Sequence, residues 1–340
     1  MNPALSPMSR ILPLVLCLTA LLVIAIGIGS SFMPPERVLA ALLGEGARID
    51  GVIVWTLRLP RVLLAVLAGA AFALSGALLQ RVARNPMASP SVLGITDGAA
   101  VGVVSFLWLF SDQANNLLVS IAWQPVSAVA GAALFGLLVM LLAASDTNGN
   151  KPLKIILYGI ALAVLAKAVV TLLIIVGPVY RASEALTWLT GSVGTAHWND
   201  VLTLSAGLCA VIPILVYQRL ATGQLALDPQ SARTTGLALV RSQAALLLVA
   251  VLLTALAAAH VGAIGFVGLV APHAARMLHG QFRPGYLTST ALTGSLIVLG
   301  ADTLARTIAA PLELPAGALT SLVGAPVFLY LLVKGRRYHA

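Results

Sequence analysis

Ten apolar runs follow one another along the chain, at residues 11–30, 61–80, 92–110, 117–143, 153–176, 201–218, 242–261, 265–278, 286–306 and 316–333. Most are close to the ~20 residues that cross a bilayer as a helix. In lipid every backbone N–H and C=O must be paired within the chain, which leaves helices or a closed barrel. Runs of this length without period-two alternation select the helix. The expected fold is an all-α polytopic membrane protein of about ten transmembrane helices. Composition agrees: 59% of the 340 residues are hydrophobic and 9% are charged, against roughly a quarter charged in soluble domains. One transmembrane domain over residues 1–340 is expected. The eighth run is short and carries Gly265, Gly268 and Pro272, so a broken or tilted helix is expected there. The first run follows Arg10 and is longer than the apolar stretch of a signal peptide. It reads as a retained span, since bulky Leu16 before Cys17 argues against lipoprotein processing. Cys17 and Cys209 both fall in apolar runs and read as small buried side chains, with neither a disulfide nor a metal site implied.

The basic residues set the orientation. With the N-terminus inside, Arg10, Arg81, Arg84, Lys151, Lys154, Arg219, Arg233, Arg241, Arg276, Arg283, Lys334, Arg336 and Arg337 face the cytoplasm, while Arg37, Arg48, Arg58, Arg61, Arg181 and Arg306 face outward. Positive loops stay inside, so both termini are placed in the cytoplasm. Of the 20 basic residues this leaves Lys167, twelve positions into its run from Ile155 and so about 18 Å deep. An uncompensated lysine at that depth costs roughly 2.5–3.5 kcal/mol. Gly159, Ala163, Lys167 and Thr171 form one stripe at four-residue spacing. Two readings stand: pairing inside the bundle, with Asp302 or with free carbonyls, or a place on a solute pathway that favours an anion. The outward arginines Arg58 and Arg61 also need a reason. Headgroups, or Glu36, Glu45 or Asp50 in the same outer loop, provide one; a docked protein provides another.

Small residues at Ala65, Gly69, Ala73 and Gly76, and again at Gly317, Ser321 and Gly324, mark close helix approaches. The longest inner loop contains ALDPQSARTTGLAL. Asp228 as N-cap, Pro229 as first helical residue and Gly236 as stop define a surface helix of about two turns. Helix punctuated this clearly outside the bilayer suits a docking contact, with a simple connector as the alternative. Missing features narrow the function. The chain contains no GxxxxGK[ST], HExxH, CxxC or GxSxG pattern, and His273 stands alone. Neither covalent chemistry nor a metal site is expected of this chain.

The stretch LRLPRVLLAVLAGAAFALSGALLQRVARNPMASPSVLGITDGAAVG, Leu57 to Gly102, resembles the FecCD-type permeases of bacterial ABC importers. So do GAIGFVGLVAPHAARML, Gly262 to Leu278, and ELPAGALTSLVGAPVFLYLL, Glu313 to Leu332, in the matching order. The resemblance implies type II ABC importer architecture in the bacterial inner membrane and transport of a metal chelate, a ferric siderophore foremost, with haem or cobalamin as alternatives. It implies no cofactor in this chain. ATP and Mg would be bound by two cytoplasmic ATPase subunits. A second permease subunit, identical or related, and a periplasmic substrate-binding protein would complete the assembly. Residues 226–240 would then hold the coupling helix, through Asp228, Pro229, Ser231, Ala232, Arg233, Thr234, Thr235 and Gly236. Thr235 departs from the family's usual leucine. Arg58, Arg61 and Arg306 would meet acidic residues of the binding protein. The fifth and tenth spans and the outer segment 184–193 would line the pathway, with Lys167 and Thr171 on it, and Asn85 and Pro86 near its inner exit. An ion-coupled secondary transporter is the competing class. It usually places carboxylates at mid-membrane, whereas Asp97 and Asp302 lie toward span ends.

Overall fold

The computed structural model describes residues 7–29, 32–112, 116–145, 151–225, 227, 229–279, 284–308, 310 and 312–336. Its helices are α1 (Pro7–Gly27), α2 (Pro35–Leu43), α3 (Arg48–Val52), α4 (Leu59–Val82), α5 (Ile95–Leu109), α6 (Gln124–Ser145), α7 (Lys151–Val176), α8 (Val179–Thr190), α9 (Trp198–Tyr217), α10 (Arg219–Gln224), α11 (Pro229–Thr234), α12 (Leu239–Val261), α13 (Val267–His279), α14 (Tyr286–Ile308) and α15 (Ala316–Arg336). Every expected span has its helix. Among the described residues seven helical segments are long and apolar enough to cross a membrane, and Ile95–Leu109 and Ala316–Tyr330 are shorter apolar helices. The eighth expected span is α13, of 13 residues. The break lies ahead of this helix, at Gly262 and Phe266, both with positive φ; Pro272 sits inside it.

Hydropathy does not separate interior from peripheral spans. Met8–Gly27 and Arg48–Val82 share a mean hydropathy of 2.4, yet 11% of the first window and 72% of the second is buried. The two helices are similar in leucine and valine, but α4 carries eight alanines and glycines among 24 residues against three among 21 in α1. Small residues let neighbouring backbones approach. Cys17 and Cys209 correct the sequence reading, for both are exposed on the outward sides of their helices. The period of a mostly apolar helix does not say which face meets lipid.

The helices group into two compact units. The first comprises Met1–Ala73, Gly191–Ala206 and Ile264–Ala340. Within it α4 and α14 cross at glycine: a Cβ added to Gly69 would lie 2.3 Å from the Gly294 carbonyl oxygen. Ser295 Oγ donates to the Val66 carbonyl at 2.8 Å beside that crossing. A wide π-helical turn, Ile53–Arg58, leads into α4. It ends just ahead of Pro60, which has no N–H to give a normal turn.

The second unit comprises Leu74–Thr190 and Gly207–Ala263. Its tightest contact joins α5 and α6. A Cβ on Gly102 would lie 2.1 Å from the Ser127 oxygen, and one on Gly131 would lie 2.2 Å from the Gly98 oxygen. The carboxyl half of α4 is tied to α12 by Ser75 Oγ, which is 2.7 Å from both the Ala250 carbonyl and Thr254 Oγ1. On chain order, Trp55, Trp108, Trp123, Trp188 and Trp198 all fall at helix ends expected to face outward, as an interfacial aromatic belt requires.

Candidate functional site

The first unit brings Arg58, Arg61 and Arg306 together from the start of α4 and the end of α14. They line a cavity of about 360 Å³ with Thr56, His197 and Glu313. None projects freely: Arg58 is 6%, Arg61 8% and Arg306 5% exposed. An acidic partner residue would therefore have to enter the cavity to reach them. Their partners explain the burial. Arg61 forms a two-point contact with Asp302, Nε to Oδ1 at 3.0 Å and Nη2 to Oδ1 at 2.9 Å. Its Nη1 donates to Glu313 Oε1 and Oε2 at 2.9 and 3.0 Å. Arg58 Nη1 donates to the Ile26 and Gly27 carbonyls at 2.6 and 3.0 Å, and Arg306 Nη2 donates to the Ala25 carbonyl. Two arginines thus cap the final turn of α1, where free carbonyls and the helix dipole favour cations. Arg306 Nε also lies 3.7 Å from Asp302 Oδ2.

Of the outer-loop acids considered from the sequence, Asp50 is engaged elsewhere. Asp50 pairs with Arg37, whose Nε donates to Oδ2 at 2.9 Å. That hydrogen bond, with the carboxylate's charge, raises the Arg37 guanidinium above its ordinary value. Asp302, a candidate partner for Lys167 from the sequence, is buried at 1% exposure and holds Arg61 instead. The bridge spans 241 residues of sequence and the Glu313 contact 252, so no local pattern reveals either. The one sequence signal for Glu313 is its place at the head of the third quoted stretch.

The inner-loop residues lie in the second unit. Helix α11, Pro229–Thr234, has six residues, slightly less than the two turns expected. Asp228 lies outside the described residues. Ala232 is fully buried, whereas Thr234 and Thr235 are exposed. Both threonines bond back into the helix, to the Ser231 and Ala232 carbonyls at 2.9 and 2.8 Å. Gly236 has φ +82° and open space around a would-be Cβ. The sequence does not reveal a brace ahead of this helix. Buried Arg81, at the end of α4, donates to the Thr222 and Gly223 carbonyls of α10 at 2.6 and 3.2 Å.

Lys167 and Thr171 are exposed on α7, while Gly159 and Ala163 of the same stripe are buried. The buried half packs on the start of α5: a Cβ on Gly159 would lie 2.7 Å from Leu93 Cδ2. Lys167 attracts the Asp97 carboxylate of α5 electrostatically. Asp97 Oδ2 is buried without a hydrogen-bond partner. Asn85 and Pro86 form a turn in which Asn85 Oδ1 accepts from the Met87 N–H at 2.8 Å, and Pro86 is exposed. Among the described residues no group of three or more His, Cys, Asp or Glu forms a metal site.

The sequence profile of the FecCD transport family matches residues 17–334. The protein named "Probable siderophore transport system permease protein YfhA" of Bacillus subtilis is 42% identical over 318 residues, covering 93% of this chain and 92% of that protein. The Fe(3+)-citrate import system permease protein YfmE of the same organism is 39% identical over 326 residues, covering 96% and 95%. A solved inward-facing conformation of an ABC transporter of metal-chelate type superposes with a TM-score of 0.83 at 29% identity, covering 95% of this chain and 98% of that chain.

Proposed function

Because the chain belongs to the FecCD transport family, as a permease subunit of ABC-transporter type, we propose that it imports a ferric chelate of the siderophore or carboxylate class across the bacterial inner membrane. The observation that carries this reading is end-to-end similarity to a siderophore permease and a ferric citrate permease. ATP hydrolysis belongs to two cytoplasmic partner subunits, one of which docks on α11. A second permease, identical or related, completes the pathway, and a periplasmic binding protein delivers the chelate at the Arg58, Arg61 and Arg306 cavity. Charge pairing there steers encounter and fixes orientation more than it adds affinity. Buried arginines suit that role only if the incoming acids enter the cavity, whose volume admits side chains.

Exposure of Lys167 and Thr171 on α7 supports their place on the pathway, where a lysine favours an anionic chelate. Asn85 and Pro86 stand at its inner exit. The substrate class is tested by deleting this gene and following uptake of ferric siderophores, ferric citrate, haem and cobalamin separately. Selective loss of one or more ferric chelates is expected. Loss of haem or cobalamin uptake alone would assign the permease to that substrate.

A further inference from the structure

The outer cavity contains one carboxylate that is neither buried nor held on all sides. Asp302 is locked beneath Arg61, its side chain 1% exposed, but the Glu313 side chain is 56% exposed. Both acids use Arg61, on different edges: Asp302 takes Nε and Nη2, and Glu313 takes Nη1. The Nη1 edge is therefore the one that opens toward the cavity mouth. Gly194 leaves just enough room for this contact, since a Cβ there would lie 2.8 Å from Glu313 Oε2. Arg58 and Arg306 line the same cavity and carry further positive charge. Three guanidinium groups against two carboxylates leave one excess positive charge.

We propose that Glu313 is a displaceable occupant of Arg61, and that a carboxylate side chain on an acidic loop of the docking protein takes its place. The inference rests on the docking reading above and deepens it. The exchange replaces one partly buried ion pair by another, so the incoming acid gains little from Arg61 itself. What it does is detach Glu313, three residues ahead of α15. The same stretch is joined to the outer segment by the Gly317 N–H, which donates to the Gly191 carbonyl at 3.0 Å. Docking thereby reaches the start of the last span through a single side chain.

Competition gives a sign opposite to that of ordinary contact loss. Glu313→Gln removes the occupant and raises the excess positive charge from one to two. The binding protein should then dock more tightly. The fold is retained because Asp302 still holds Arg61 by its inner edge. The test measures the Kd of the chelate-loaded binding protein for the assembled importer in nanodiscs. Glu313→Gln should lower Kd about three- to tenfold at ~50 mM salt, and the gain should fade near ~0.5 M as screening sets in. Glu313→Asp, which keeps the charge, should stay within about twofold of the unmodified protein. Arg58→Gln and Arg306→Gln should raise Kd. If these two raise Kd while Glu313→Gln leaves it unchanged or higher, the displacement is refuted and the docking reading survives. If neither arginine substitution changes Kd, the docking reading fails and the displacement with it.

Discussion

Asp302 is the residue on which the outer cluster depends. Its carboxylate is buried, holds Arg61 in two-point contact and lies within ion-pair distance of Arg306. Removing one partner of a buried pair leaves an uncompensated charge, at a cost of about 3–5 kcal/mol. Asp302→Asn should lower the thermal midpoint of the detergent-solubilised protein accordingly. Glu313→Gln should move it far less, because the Glu313 side chain is more than half exposed and Asp302 still pairs with Arg61, so the loss stays near the ~1 kcal/mol of a solvated pair. Equal shifts for the two substitutions would refute the division of labour between the acids. Lys167 differs from both, being exposed on a mid-membrane helix with Asp97 as its electrostatic neighbour. Lys167→Met should leave protein level and basal ATPase activity of the importer intact while uptake of an anionic ferric chelate falls several-fold. Unchanged uptake would remove Lys167 from the pathway. None of these pairings was legible in the sequence. Arg61 and its acids are more than 200 positions apart, and hydropathy carries no long-range partner information.

At the scale of the element, the spans themselves were legible, because hydropathy is a local property and lipid imposes it over ~20 residues at a time. The close crossings were half legible. The small-residue stripe of α4 contains Gly69, which does meet Gly294. The tighter α5–α6 contact was overlooked, although Gly98 and Gly102 have the same spacing in GAAVG. Spacing identifies a face that accepts a backbone but does not name which one. Gly131→Val should destabilise by about 2–3 kcal/mol or more, since its Cβ would meet backbone that cannot rotate away. Gly300→Ala should be tolerated, because the nearest atom to its Cβ is Leu21 Cδ2 at 3.9 Å. A thermal-unfolding series on the two variants checks both signs. Gly236 poses a different problem: space is open, but φ is +82°. Gly236→Val should therefore strain only the backbone, by about 1–3 kcal/mol, reducing copurification of the ATPase and transport together. Full retention of both would show that the turn after α11 does not position the coupling contact.

For the whole molecule, the family assignment is that of a permease subunit of ABC-transporter type. Arginines capping the end of α1 frame an outer cavity in one unit. The other unit contains an arginine brace and a short helix, α11. Neither the carboxylate relay of an ion-coupled transporter nor a catalytic set is needed to explain these features. The wide turn before Pro60 and the loop at Gly262 and Phe266 show where the sequence signal runs out. The first follows from the missing N–H of Pro60 and the second lies just ahead of the break expected from Gly265, Gly268 and Pro272, but hydrophobic periodicity alone places neither. The central claim is import of a ferric chelate powered by ATP in partner subunits. Its most direct test is uptake of radiolabelled iron chelate into proteoliposomes holding this permease, its permease and ATPase partners and the binding protein. Uptake should require ATP inside the transporter's nucleotide-binding side and the binding protein on the opposite side, and should vanish when either is withheld. Uptake driven by a proton or sodium gradient without ATP would contradict the claim.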